Sequence, residues 1–345
     1  MIHTTKEGAP CAARAEDAFD CQDLSIFKRV ERFGKAKKNN LEIVEYLEEL
    51  MLIDEVRFGS ANPLVEKIYT RMDKCASWLT FRHYTDHDKN RLTSANFCSK
   101  HLLCQPCAIR RGAQKLKAYH NKIEHVLKEN PKLKPYLLTI TVKNGENLLE
   151  RFEHLQKSIK LLFERRKKYL QSPGNRMFTE TSKIKGAVFS YETPKSKDGL
   201  AWHPHCHMLI LCEEPPEVGF VDIEKQKFSG LRGEWYSITG DSFMVDIRRN
   251  DKQDVIDMCM EVMKYAVKFS AQEPRDTWKC FQTLNHRRLF GSMGNMWGVK
   301  VPASMLDEKL DGPYVEYMFR YFGAGHYTQV SKLDMSEHYE EASSV

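Results

Sequence analysis

WHPHCHMLILC, residues 202–212, is the stretch on which the fold turns. Read as a strand, it places every second side chain on one face, so His205 and His207 project together while Cys206 and Met208 face the other way. Two imidazoles so placed can share one metal ion. His203 has the same parity, but Pro204 is positioned to bend the chain and swing it aside, which leaves His205 and His207 as the pair.

GAVFSYET (186–193) reads as the preceding strand, and a polar loop with Pro194, Lys195 and Gly199 joins the two. So short a connection predicts an antiparallel hairpin. Glu192 then sits across the hairpin as a third ligand, a hard oxygen donor that favours Mg²⁺ or Mn²⁺ over zinc. Upstream, YLLTITVK (136–143) has the alternation of a strand, with Leu138, Ile140 and Val142 on one face and Thr139 and Thr141 on the other. Residues 146–170 read as an amphipathic helix ended by Ser172-Pro173-Gly174. A helix near 223–235, a strand at 243–249 and a helix at 252–270 complete a β-α-β-β-α-β-α series. The expected fold class is α+β, a ferredoxin-like antiparallel sheet covered by helices on one face. The tail after about Gly325 is polar and expected to be mobile.

On the 252–270 helix, Val255, Cys259, Val262, Ala266 and Phe269 form an apolar stripe, widened by Ile256, Met260, Met263 and Val267. At about 100° per residue, Tyr265 falls on the opposite, polar side with Asp257, Glu261, Lys264 and Lys268. Glu261 lies one turn before Tyr265, so the two side chains are neighbours. A tyrosine hydroxyl, with an ordinary pKa near 10, needs a base or a metal to act as a nucleophile at neutral pH.

The 345 residues carry a net charge of +6, placed unevenly: residues 108–170 hold sixteen Lys/Arg against six Asp/Glu. Clustered basic charge suits a polyanion, because each neutralised phosphate releases counterions. No run approaches the roughly 18 apolar residues of a membrane span, and no export signal is recognisable, so a cytoplasmic protein is expected. Ten cysteines in such a chain point to metal ligation or burial rather than disulfides.

Taken in order, LLTITVKN (137–144), WHPHCHML (202–209) and EVMKYAVK (261–268) resemble the three motifs of plasmid rolling-circle replication initiators, the Rep proteins of the single-tyrosine HUH endonuclease group. The group is named for histidine–hydrophobic–histidine, here His205-Cys206-His207, with Cys206 less apolar than the usual middle residue. The resemblance runs over roughly residues 75–298 and includes LNHRRLFGSMG (284–294). It implies that Tyr265 is the DNA-linking nucleophile, that His205 and His207 bind metal, and that Glu261 promotes the hydrolysis ending the cycle. The wider group's habit also supports Glu192 as third ligand.

Cys75, Cys98, Cys104 and Cys107 match the order of the cysteines that precede the catalytic motifs in this family, and four thiolates suit a closed structural Zn²⁺ site. Cys75 is separated from Cys98 by 22 residues, so His101 is an alternative fourth ligand. Arg110 and Arg111, next to the cysteines, and Lys264 and Lys268, beside the tyrosine, are expected at DNA phosphates. The domain organisation implied is an N-terminal helical region (1–70), a cysteine-rich zinc-binding and DNA-contacting segment (71–130), an HUH nicking and joining domain (131–300), and a C-terminal region with a polar tail (301–345).

The expected activity is nicking of a plasmid double-strand origin, single-stranded at the nick, in a bacterial cytoplasm. With no G-x-x-x-x-G-K-[ST] loop in the chain, a host helicase and DNA polymerase are the implied partners. The alternatives are an HUH transposase or relaxase, or a non-catalytic zinc-stabilised DNA-binding regulator in which the histidines are structural.

Overall fold

The computed structural model describes residues 25–196, 198–249, 255–265 and 273–335. Helix α1 (Ile26–Phe58) starts where the Ser25 side chain accepts from the Lys28 amide, and it stops at Gly59, whose φ of 77° turns the chain left-handed. Asn62 caps α2 (Pro63–Asp73) in the same way through the Leu64 amide. A hairpin of β1 (Trp78–Tyr84) and β2 (Lys89–Ala95) leads into α3 (Gln105–Glu129). Then come β3 (Lys134–Thr141), α4 (Leu148–Gln171), β4 (Gly186–Glu192) and β5 (His205–Cys212). The remainder is β6 (Val221–Asp222), β7 (Lys227–Phe228), α5 (Gly230–Thr239), β8 (Val245–Arg248), α6 (Val255–Tyr265), α7 (Pro274–Leu284), β9 (Phe290–Gly294), β10 (Tyr314–Gly323) and β11 (His326–Asp334).

Among the described residues, β8-β3-β5-β4-β9 form one antiparallel sheet, and the expected hairpin pairs β4 with β5. The architecture is thus α+β. On one face Leu138, Ile140, Tyr191, Cys206, Met208 and Ile210 pack against Phe152, Leu155 and Ile159 of α4, and Trp235 of α5. Helices on one face only are expected from the sequence, but the histidine face is partly covered as well. Val188, Leu209 and Leu211 pack there against Met258, Cys259, Val262 and Met263 of α6, and against Tyr119 and Ile123 of α3. The reason is that Leu209 and Leu211 share the parity of His205 and His207, so one end of that face is apolar and must be covered.

The helix expected at 223–235 begins only at Gly230, because residues 221–228 form the β6–β7 hairpin. Gln226 in its turn has a φ of 48° and Gly230 a φ of 61°, both incompatible with a continuous right-handed helix. A Cβ at Gly230 would also stand 2.7 Å from the Glu217 carbonyl oxygen.

A second antiparallel sheet, β11-β10-β1-β2, corrects the reading of the tail: residues 326–334 are a strand, not a mobile extension. Leu79 pairs with Phe319 across more than two hundred residues. Ile43 and Leu47 of α1, Ile68 of α2, Phe81, the cysteine segment, Trp278 of α7 and Phe319 share one core. Residues from three of the segments read in the sequence, 1–70, 71–130 and 301–345, therefore share this unit. Helix α7 joins it to the larger sheet, with Trp278 and Phe281 in one core and Cys280 and Leu284 in the other.

Asp307 fastens these parts. Its carboxylate lies 2.8 Å from Arg29 Nη2 and 2.7 Å from Arg110 Nη2, all three side chains being fully buried, and it accepts the Leu92 amide at 2.7 Å. Arg110 also donates through Nε to the Met305 carbonyl. This corrects the expectation that Arg110 contacts DNA: a guanidinium with no exposed surface and a buried partner is a structural cation. Burial alone would raise the Asp307 pKa, but Arg110 and Arg29 outweigh it and hold the carboxyl well below the usual carboxylate range.

Removing one partner of such a cluster leaves buried charge uncompensated. Asp307→Ala should lower unfolding stability by about 3–5 kcal/mol, read by urea denaturation; a loss below about 1 kcal/mol, the scale of an exposed pair, would show that the cluster is not a fastening. Because folding lowers this pKa, the contribution is complete at neutral pH and declines only as the pH falls below about 4, the ordinary carboxylate value.

Candidate active site

The β4–β5 register places Glu192 opposite His205 and Ser190 opposite His207, while Thr139 of β3 pairs with His207 from the other side. His205 Nε2 lies 2.6 Å and His207 Nε2 3.2 Å from the same Glu192 oxygen. The three ligand atoms lie within 4.8 Å of one another, so this group could hold a metal ion. The far sides of both rings are engaged. His205 Nδ1 is 3.0 Å from the His203 carbonyl oxygen, which can only accept, so Nδ1 donates there and Nε2 is the atom turned toward Glu192. His207 Nδ1 is 3.0 Å from Thr139 Oγ1. Outer hydrogen bonds of this kind fix the ring orientation of metal-binding histidines. Two imidazole nitrogens and a carboxylate oxygen turned toward one point form a donor set that fits a divalent cation.

His203 stands outside the group, as its neighbour Pro204 suggested. Its ring is hydrogen-bonded to Asn144, and burial, with His205 alongside, pushes its pKa down.

Helix α6 lies across this face. The Val262 carbonyl accepts the Ser190 hydroxyl at 2.7 Å, two positions along β4 from Glu192. Cys259, Met260, Val262 and Met263 are buried, as the stripe predicted, Met258 is buried although it lies outside that stripe, and Glu261 lines the same cavity as His207. Tyr265 ends α6 and follows Val262 by three residues, or about 4.5 Å along the helix axis. Lys264 precedes it, and Lys268 lies outside the described residues.

The four predicted cysteines come together where β2 leads into α3, all of them buried. Cys75 Sγ is 3.4 Å from Cys104 Sγ and 3.6 Å from Cys107 Sγ, and Cys98 Sγ is 3.5 Å from Cys107 Sγ. Zinc–sulfur bonds of about 2.3 Å in a tetrahedron would separate the sulfurs by about 3.8 Å, so this group could bind zinc. Cys75, not His101, completes it. Hydrogen bonds from Cys104 and Cys107 draw the Cys98 thiol far below its ordinary pKa, and the buried Lys37 amine stands close enough to feel Cys75, Cys104 and Cys98. Burial holds the Cys104 thiol well above its ordinary value and, against the hydrogen bond to Cys104, those to Cys75 and Cys98 hold Cys107 up as well, so a bound cation is what would make all four thiolates.

Two partners escaped the sequence reading: Thr139, which strand parity alone could have set beside His207, and Lys115. Burial and the neighbouring Arg111 push the Lys115 amine down to about 8, and its Nζ lies 4.4 Å over the Phe290 ring. Arg111 donates to the Pro302 carbonyl and stays partly exposed.

The family described as Replication protein matches residues 89–311. Protein rep of Bacillus amyloliquefaciens is 30% identical over 182 residues, covering 51% of this chain and 47% of that protein. Protein rep of a Bacillus species is 30% identical over 153 residues (43% and 44%), and Protein rep of Streptococcus pneumoniae serotype 2 is 29% identical over 148 residues (42% of each). The chain spans about half the length of the curated relatives it matches. No solved structure matches it.

The cysteine geometry makes a direct prediction. Freshly purified, reduced protein should contain zinc, and Cys104→Ser with Cys107→Ser should release it and lower the melting temperature, since closed zinc sites contribute to folding. Metal analysis showing no zinc in the wild-type protein would remove the site.

Proposed function

The chain belongs to the Replication protein family, and from that premise we propose that it initiates rolling-circle replication of a plasmid as a metal-assisted DNA-nicking enzyme of the HUH group. The carrying observation is the convergence of Glu192, His205 and His207 on one point of the sheet, with the helix bearing Glu261 and Tyr265 laid across the same face. The five-stranded sheet with its central histidine strand is, on this reading, the HUH form of the ferredoxin-like fold.

Glu192, His205 and His207 would hold Mg²⁺ or Mn²⁺, and such an ion would supply positive charge at the scissile phosphate. The Tyr265 hydroxyl gives up its proton to Glu261 or solvent and attacks phosphorus in line. The Oη–P bond forms as the P–O3′ bond breaks, and the departing oxygen takes up a proton. A 5′-phosphotyrosine and a free 3′-hydroxyl result, and the hydroxyl primes a polymerase. Strand transfer, or hydrolysis by water that Glu261 deprotonates, closes the cycle. Arg111, Lys264 and Lys268 attract the DNA backbone, the four cysteines would hold structural Zn²⁺, and host helicase and polymerase act on the opened origin in the bacterial cytoplasm.

End-labelled single-stranded origin DNA with Mn²⁺, resolved on denaturing gels, tests this. Tyr265→Phe should lose both cleavage and covalent adduct. His207→Ala should still bind DNA while nicking falls by at least about a hundredfold, since positioned electrostatic groups contribute on that scale. Glu261→Ala should form the adduct but release it slowly. A wild-type protein that binds origin DNA without any adduct would instead be a regulator.

A further inference from the structure

Beside the metal group, a cavity of about 490 Å³ opens between the edge strand β8, β3 and α6. Its size falls in the range of about 300–1,000 Å³ typical of sites for small organic ligands. His207 and Glu261 line it, so whatever fills it lies against the groups assigned to catalysis. Two arginines line it as well, and they differ. Arg248 is paired with Asp246, Nε to Oδ2 at 2.5 Å, both side chains largely or half exposed on the outer edge of the sheet. Arg232 projects from α5, its Nε buried with no hydrogen-bond partner, and no carboxylate among the described residues is within ion-pair distance of it.

Buried donors of native proteins are nearly always satisfied, and a lone one in a cavity wall marks the place of an absent acceptor. Other arginines illustrate the rule: Arg151 meets Asp241, Arg165 meets Ser237, and Arg166 meets the Ile184 carbonyl. A guanidinium whose Nε is buried without an acceptor, and which has no ion pair among the described residues, keeps donors suited to phosphate oxygens. The Asp246–Arg248 pair offers one acceptor and one forked donor side by side, the complement of a base edge. Thr139 closes the link to the metal group, because it lines the cavity and hydrogen-bonds His207.

We propose that this cavity seats the deoxynucleotide adjoining the scissile phosphate, with Arg232 gripping its phosphate and the Asp246–Arg248 pair reading its base. This subsite rests on the nicking reading above and makes a sequence preference next to the nick a property of β8 and α5. Arg232 here is a positioning residue for substrate, not a participant in bond breaking.

The test uses the full chain, Mn²⁺ and a pool of single-stranded oligodeoxynucleotides of random sequence; covalently captured fragments are sequenced, and cleavage of one preferred oligonucleotide is followed kinetically. Arg248→Ala, an exposed change that leaves folding intact, should erase base preference at one position next to the nick and keep it elsewhere. Arg232→Ala should raise KM at least tenfold with kcat changed less than threefold, and Arg232→Lys should recover part of the loss. Wild-type adducts together with unchanged preference in Arg248→Ala and unchanged KM in Arg232→Ala overturn the subsite alone. Absence of any wild-type adduct overturns the nicking reading and the subsite with it.

Discussion

The pairing of Glu192 with His205 across the β4–β5 ladder is the constraint on which the site depends. Side chains alternate along a strand, so a slip of one residue would send both imidazoles into the core and bring Cys206 and Met208 out. The apolar face prevents that slip. Phe189 and Tyr191 of β4 pack beside Cys206 and Met208 of β5 under Phe152 and Leu155, and the fully buried Trp202 closes the loop end through bridges to Gly145 and Lys195. Packing on one side of the sheet thus specifies the chemistry on the other.

A similar coupling links the two sheets. The cysteine group sits at the start of α3, whose later turns contribute Tyr119 and Ile123 to the packing on the histidine face. Arg110, one turn into that helix, is held by Asp307 together with Arg29 of α1. The orientation of α3 over the five-stranded sheet is therefore tied to the N-terminal helix and to a segment just before the C-terminal hairpin. Close approach reinforces this: a Cβ at Gly34 of α1 would fall 1.9 Å from the Gly325 carbonyl oxygen in the β10–β11 turn.

Local patterns carried the central hairpin, the described part of the stripe on α6 and the three residues that could hold a metal ion, because each depends on parity or helical spacing within a dozen or so residues. The four cysteines were legible from type and order, although choosing Cys75 over His101 required knowing how the chain folds back between residues 75 and 98. What local patterns could not carry is long-range pairing. β11 read as a polar tail and β10 went unread as a strand because most of their residues stay partly or fully exposed, and the reason they are strands lies in the edge that β1 offers β10. Arg110 and Arg111 are adjacent and chemically alike, yet helix geometry turns one into the core and the other outward. The partner that distinguishes them, Asp307, lies 197 residues away from Arg110.

The central claim is that a single tyrosine at the end of α6 becomes joined to DNA. Peptide mass mapping is its most direct test: wild-type protein is incubated with single-stranded origin DNA and Mn²⁺, trimmed with nuclease and digested with trypsin. The claim predicts a nucleotide mass on the tetrapeptide Tyr265-Ala-Val-Lys268, bounded by Lys264 and Lys268. A stable adduct on any other peptide would contradict it.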